Sequence, residues 1–287
     1  MANWKRLLPK TPTDTFAYIF TLFGINAIFY FELLYVLPKI VTESEDYEYS
    51  SWKWYFHMTC GCVIYFNALS SFWKIISTET SIRGLMLPSI LKPGWRFCHI
   101  CECNAPPRSF HCYTCKTCVL RRDHHCVFTG NCVGHKNHRY YMMLLFYNAL
   151  AGWYATFMNI SIAWTIVGTE WFPLSLLKLI FPFFAWVIGY VTFNEMLLSA
   201  ILLLCIAAMC AMTGLLSYHL KNLYRGQITH ESTHNVLKYD LGWKENVRAV
   251  MGENWRVGWL SPWLPSPLPG DGLEFPLASV YEAPKDL

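Results

Sequence analysis

Eight of the chain's 12 cysteines fall between Cys98 and Cys132, with His99, His111, His124 and His125 among them. Thiolates and imidazoles can do two kinds of chemistry in such a cluster. They can ligate a soft or borderline metal, or pair as a nucleophile and its base. The spacing is regular: Cys98-x2-Cys101 is one pair, and Cys112-x2-Cys115-x2-Cys118 provides two more. His111, His125 and Cys132 complete the set. In an oxidising compartment such a cluster reads as disulfides, and in a reducing one as metal. The side of the membrane therefore decides.

A membrane is expected from composition. Of 287 residues, 54% are hydrophobic and only 15% charged, against about 25% charged in an ordinary soluble domain. Four apolar stretches, 16–37, 55–76, 140–167 and 196–218, approach or exceed the ~20 residues a helix needs to cross ~30 Å of hydrocarbon. None has strand alternation, so each is expected as a helix. A fifth, 181–193, is short and interrupted by Pro182 and Gly189, which suits an interfacial or re-entrant segment. No cleavable signal peptide is expected, because the first apolar run is too long and no cleavage site follows it. The terminal Pro284-Lys285-Asp286-Leu287 has the wrong spelling for a luminal retrieval signal. The net charge of +4 is too small to suggest nucleic acid.

Charge sets the orientation. Ten Lys/Arg stand between Lys74 and Arg139 against Glu79, Glu102 and Asp123. The loop 38–53 instead carries Glu43, Glu45, Asp46 and Glu48 against Lys39 and Lys53. The positive-inside rule puts the cysteine-rich loop in the cytosol, along with the N-terminus (Lys5, Arg6, Lys10) and, after four crossings, the C-terminal tail. Cytosolic thiols stay reduced, so zinc is expected and disulfides are not. Zinc would also supply folding energy to a segment with few core-forming residues. Two Cys3His sites use six cysteines and two histidines, leaving two cysteines and at least one histidine over. Spacing does not say which. Asp123-His124-His125-Cys126 sets a carboxylate, a base and a thiol together, as an activated nucleophile requires. The alternative is that His124 and Cys126 are further metal ligands.

From Cys98 to Asn137 the sequence resembles the DHHC family of protein S-acyltransferases. The resemblance is carried by Pro106-Pro107-Arg108-Ser109, His111-Cys112, Cys115, Cys118, Asp123-His124-His125-Cys126, Asn131-Cys132-Val133-Gly134 and Asn137. It implies an all-α polytopic membrane protein with four transmembrane helices and a zinc domain between the second and third. The corresponding segments are 1–15 (cytosolic), 16–76, 77–139 (zinc domain), 140–218 and 219–287 (cytosolic tail), with a luminal or re-entrant piece near 168–194. It implies one zinc shell of Cys98, Cys101, His111 and Cys118, and another of Cys112, Cys115, His125 and Cys132. Cys126 is then the nucleophile, His124 its base and Asp123 the orienter, while Cys103 is a bystander.

The same resemblance implies a two-step transfer. Cys126 takes a long chain from acyl-CoA, palmitoyl-CoA in the first instance, and passes it to a cysteine of a membrane-associated protein. Arg121, Arg122, Lys136 and Arg139 are candidates for the coenzyme's phosphates, or else are positive-inside charges or contacts for anionic lipid. An endomembrane such as the ER or Golgi is expected. Small residues at Ala151-Gly152 suit either an acyl cavity or a helix contact.

In the tail, Ile228-Thr229-His230-Glu231 stands where the family has Thr-Thr-x-Glu, and 246–252 resembles its C-terminal packing motif with Met251 replacing an aromatic. The chain also departs from the family. Val127-Phe128 replaces Pro-Trp after the nucleophile, and Ser77-Thr78-Glu79-Thr80-Ser81 stands where Asp-Pro-Gly is usual. These departures sustain an alternative, a membrane-anchored zinc module that binds proteins without catalysis. A transporter is disfavoured, because the four apolar stretches carry only Glu32 and, at the end of the second, Lys74, with no paired charges to line a pathway, and Asn26, Asn67 and Asn159 suit helix–helix hydrogen bonds. The Pro-rich end (Pro262, Pro265, Pro267, Pro269) reads as an irregular tail.

Overall fold

The computed structural model describes residues 7–42, 47–168 and 172–278. Lys5, Arg6, Glu43, Glu45, Asp46 and Pro284 to Leu287, used above for orientation or targeting, lie outside the described residues. The chain divides into two compact units. One holds 1–22, 69–144 and 217–287, and the other holds 23–68 and 145–216.

Among the described residues, three helical segments are long and apolar enough to cross a membrane: Pro12–Val41, Ser51–Ser77 and Phe193–Tyr224. The first comprises α1 (Pro12–Phe31), a π-helical turn Glu32–Val36 and α2 (Leu37–Thr42). The second is the main part of α3 (Tyr47–Ser77). The expected crossing at 140–167 forms two helices, α4 (His138–Met158) and α5 (Ile160–Val167), interrupted at Asn159. There the Asn159 amide donates to the Ala155 carbonyl and to Glu32 Oε1. The ambiguous fifth stretch holds only α7 (Pro182–Val187), preceded by α6 (Phe172–Ile180) and followed by α8 (Phe193–Tyr224).

In the second unit the lone asparagines bond to neighbouring groups: Asn26 Oδ1 accepts from Tyr65 Oη, and Asn67 Nδ2 donates to the Val63 carbonyl. Gly152 is used for close packing, since a Cβ there would lie 2.8 Å from the Met209 backbone. That contact takes the helix-packing role open to this small residue.

In the first unit, the expectation of an all-α chain is corrected. The cysteine-rich region consists of three antiparallel hairpins: β1 (Arg96–Cys98) with β2 (Cys103–Ala105), β3 (Phe110–Cys112) with β4 (Thr117–Val119), and β5 (His124–Cys126) with β6 (Asn131–Val133). Three-residue strands are too short to show an alternating pattern, so sequence periodicity misses them. The turns carry Glu102 and Lys116 at φ 49° and 52°, each directly after a Cys-x2-Cys pair.

The segment that replaces the usual Asp-Pro-Gly still docks on these hairpins. Thr80 accepts from the Leu120 N–H at 3.0 Å through its carbonyl and from the Lys136 N–H at 3.2 Å through its hydroxyl. The tail adds α9 (Thr229–Thr233) and α10 (Trp243–Met251). The Pro-rich end is irregular but held. The Gly258 and Ser261 carbonyls accept from Arg139 Nη2, and the Gly270 carbonyl bonds His135 Nε2 at 2.9 Å.

Candidate active site and metal shells

Hairpin register assembles the two metal shells. Directly opposed residues in an antiparallel pair lie side by side. His111 faces Cys118 across β3–β4, and His125 faces Cys132 across β5–β6. Cys98, Cys101, His111 and Cys118 thus converge, as do Cys112, Cys115, His125 and Cys132, with the ligand atoms of each set within 4.8 Å of one another.

His111 Nδ1 lies 3.8, 3.2 and 4.0 Å from the sulfurs of Cys98, Cys101 and Cys118. His125 Nδ1 lies 3.7, 3.3 and 3.6 Å from those of Cys112, Cys115 and Cys132. Cys115 and Cys132 stand 3.7 Å apart sulfur to sulfur. A tetrahedron with Zn–S bonds of about 2.3 Å has edges of about 3.8 Å. Donor chemistry and spacing therefore fit two closed structural zinc sites. Removing metal with a chelator is expected to unfold the hairpins while leaving the long helices intact. Far-UV circular dichroism and limited proteolysis of the 96–133 region would check this, and a protease-resistant region after chelation would contradict it.

Strand parity separates the remaining groups. Successive side chains on β5 point to opposite faces. His125 points to the metal shell, so His124 and Cys126 share the other face. His124 and Cys126 thus lie outside both Cys3His sets, while His124 forms a separate group with Asp123 and His219, their ligand atoms within 4.8 Å of one another.

On that face, His124 Nδ1 is 2.7 Å from Asp123 Oδ2, and His124 and Cys126 lie close enough to shift each other's ionisation. Asp123 is 5% exposed. Its carboxylate accepts from the Thr229 N–H and from the Thr229 hydroxyl, both at 2.8 Å. Burial alone would raise the Asp123 pKa; the hydrogen bond to His124 and the surrounding imidazoles hold it well below the usual carboxylate range. Burial would lower the His124 pKa, but Asp123 and Cys126 raise it to about 9. Burial would push the Cys126 thiol up, but the hydrogen bond and charge of His124 bring it below the ordinary thiol value. Both shifts run toward a thiolate–imidazolium pair.

Four contributing residues have no role assigned from the sequence, although Arg108 stands within the motif that carries the resemblance. His219, near the end of α8, has its Nδ1 3.9 Å from Asp123 Oδ2. Tyr141, on α4, is hydrogen-bonded through its hydroxyl to His219 Nε2 at 3.2 Å and packs edge-on against His124 at 4.9 Å. Arg108 and Asp14 are the others. Arg108 donates from Nε and Nη2 to both oxygens of Glu231, at 2.9 and 2.6 Å. Glu231 Oε2 also accepts from the Ile228 N–H at 3.0 Å, which fixes the start of α9 and with it Thr229. Ile228, the departure from the family's first Thr, is fully buried. Phe128, in place of the usual Trp, is 44% exposed and offers an apolar face beside the nucleophile.

The candidate phosphate ligands are distributed differently from one another. Lys136 is exposed, Arg122 is half-buried, and Arg121 and Arg139 are buried. Arg121 lines a cavity of about 240 Å³ with Arg108, His135, Tyr239 and Phe275.

The family model described as DHHC palmitoyltransferase matches residues 91–236. The chain belongs to the DHHC palmitoyltransferase family. Among similar proteins, "Probable palmitoyltransferase ZDHHC24" of Danio rerio is 39% identical over 211 residues, covering 73% of this chain and 72% of that protein. The protein of the same name in Homo sapiens is 37% identical over 216 residues, covering 73% and 74%. In this palmitoyltransferase, Asp123→Asn removes the charge that raises His124 and, through it, lowers Cys126. The pH midpoint for alkylation of Cys126 is therefore expected to move upward. Acyl transfer at neutral pH is expected to fall about 10²–10⁴-fold. Iodoacetamide labelling of the Cys126 peptide, followed by mass spectrometry across pH, measures the shift. An unmoved midpoint would remove Asp123 from the relay.

Proposed function

We propose that this palmitoyltransferase transfers a long acyl chain from acyl-CoA to cysteines of membrane-associated proteins through a Cys126 thioester. The hydrogen bond between Asp123 and His124, with His124 and Cys126 on the same face of β5, carries this reading. In the first step the Cys126 thiolate attacks the thioester carbonyl carbon. The carbon–sulfur bond to coenzyme A breaks, and the His124 imidazolium gives its proton to the departing thiolate. In the second step neutral His124 takes the proton of a substrate thiol, whose sulfur attacks the acyl-Cys126 carbonyl. Cys126 leaves as thiolate beside the restored imidazolium. Asp123 keeps the Nδ1–H tautomer and stabilises the charge that forms on the ring. When bound, zinc holds the hairpins together; the closed shells fit no further role.

Several finer features belong to the same reading. The segment His138 to Val167 forms a fourth crossing, both termini and the zinc domain face the cytosol, and the protein resides in an endomembrane. The ten basic residues between Lys74 and Arg139 support that orientation. Lys136 and Arg122 are the more accessible of the four basic candidates for the coenzyme's phosphates, with Arg121 and Arg139 set deeper. The test uses purified, zinc-loaded protein in detergent with a clickable palmitoyl-CoA. Hydroxylamine-sensitive label on the protein, then on an added membrane-anchored cysteine peptide, is the expected result. Absence of both would overturn the reading.

A further inference from the structure

Asp14 lies at the start of α1, far in sequence from the cysteine cluster, and is 1% exposed. Local chemistry explains part of its placement. The Thr11 hydroxyl accepts from the Asp14 N–H at 3.1 Å, while Asp14 Oδ2 accepts from the N–H groups of Thr11 and Lys10 at 3.2 and 3.3 Å. With Pro12 as the first helical residue, this is a capping box. The cap engages Oδ2, which also lies 3.4 Å from His125 Nε2. Oδ1 lies 3.3 Å from His125 Nε2, the ring nitrogen that does not face the cysteines.

The neighbouring chain is also held close. Gly130, between β5 and β6, has φ +61°, and a Cβ there would lie 2.9 Å from the Pro9 backbone. The segment from Pro9 to Asp14 thus packs on the hairpin that bears both His125 and Cys126.

On the reading of Cys112, Cys115, His125 and Cys132 as a zinc shell, we infer that Asp14 is the positioning residue of that shell. It accepts the Nε2–H of His125 and so fixes the tautomer and ring orientation that turn Nδ1 toward the three sulfurs. Carboxylate–histidine–metal relays of this kind orient the ring and raise its basicity as a ligand. The first shell provides an internal comparison. Among the described residues, no carboxylate is bonded to Nε2 of His111, whose ring packs edge-on against Tyr113 at 5.1 Å. The inference extends the active-site unit beyond the cysteine-rich segment to the cytosolic end of the first membrane helix. That helix end is then coupled to the hairpin that presents the nucleophile.

The experiment measures zinc release from full-length protein in detergent. A strong chelator and a colorimetric zinc indicator are used with wild type, Asp14→Ala, His125→Cys and the double variant. Wild type should hold two equivalents. Asp14→Ala is expected to weaken one of the two by about 10- to 100-fold and leave the other unchanged. In the His125→Cys background the shell has four thiolates and no imidazole to orient, so adding Asp14→Ala should change nothing. Equal weakening of both equivalents would assign Asp14 to helix capping alone and overturn the inference. So would no weakening, or an Asp14 effect that persists with His125→Cys. Wild type without zinc would overturn the metal reading itself, a result distinct from all of these.

Discussion

Cys126→Ser is expected to abolish hydroxylamine-sensitive acyl labelling, while Cys103→Ser labels as wild type does. A serine hydroxyl has too high a pKa for the thiolate–imidazolium pairing that His124 offers Cys126, so the nucleophile is lost rather than weakened. Removing a nucleophile from a cooperating relay costs on the order of 10³-fold or more. Cys126 is outside both metal shells, so the variant should retain its zinc and its fold. Zinc content therefore separates chemical loss from collapse. Cys103 stands opposite Cys98 at the β1–β2 end, and burial raises its thiol pKa with help from the charges of Cys101 and Cys98. A thiol raised in this way is a poor competitor for acyl-CoA. Equal labelling of wild type and Cys126→Ser would assign the reaction to another cysteine. Label lost in both variants would leave Cys126 without a special role.

Arg108→Ala is expected to be strongly destabilising to the first unit. Its guanidinium makes a bidentate pair with Glu231, donates to the Gly226 carbonyl at 2.7 Å, and stacks on the Tyr239 and Phe275 rings at 4.4 and 5.1 Å. Both partners are almost fully enclosed, with side chains 4% and 7% exposed. Truncating one partner of a buried pair strands the other's charge, at a cost of about 3–5 kcal/mol. The functional consequence follows from geometry. Glu231 anchors α9, α9 carries Thr229, and Thr229 gives two hydrogen bonds to Asp123. Losing Arg108 should therefore free the tail to proteolysis and lower acyl transfer together. Arg108→Lys should not restore either, because an ammonium cannot form the planar two-bond contact. Thermal unfolding in detergent and protease sensitivity of 226–278 measure the effect. A loss under about 0.5 kcal/mol, as at an ordinary surface site, would show that the pair is not what holds the tail.

Two features were legible in the sequence because they depend on local composition and spacing. Long runs without charge specify membrane helices wherever the backbone must satisfy itself. Cys-x2-Cys spacing with nearby histidines specifies metal, because four soft ligands must reach one point. The motif resemblance then singled out Cys126, His124 and Asp123 as a group, and the structure brings those three together. The all-α expectation failed at the hairpins for a physical reason. Their strands are three residues long, and ligand convergence rather than an apolar face would hold them.

What tertiary structure decided was the division of labour within Asp123-His124-His125-Cys126. Four consecutive residues of suitable type cannot reveal which imidazole takes the metal. Strand parity and the opposition of His125 to Cys132 bring the His125 ring, and not that of His124, to the sulfurs of Cys112, Cys115 and Cys132. The partners that tune the site come from distant positions: Asp14, Tyr141, His219, Thr229, and Glu231 with Arg108. Each interaction spans most of an element or more of sequence. No local pattern encodes such pairings, because a buried polar group is satisfied by whichever side chain the packed elements bring to it.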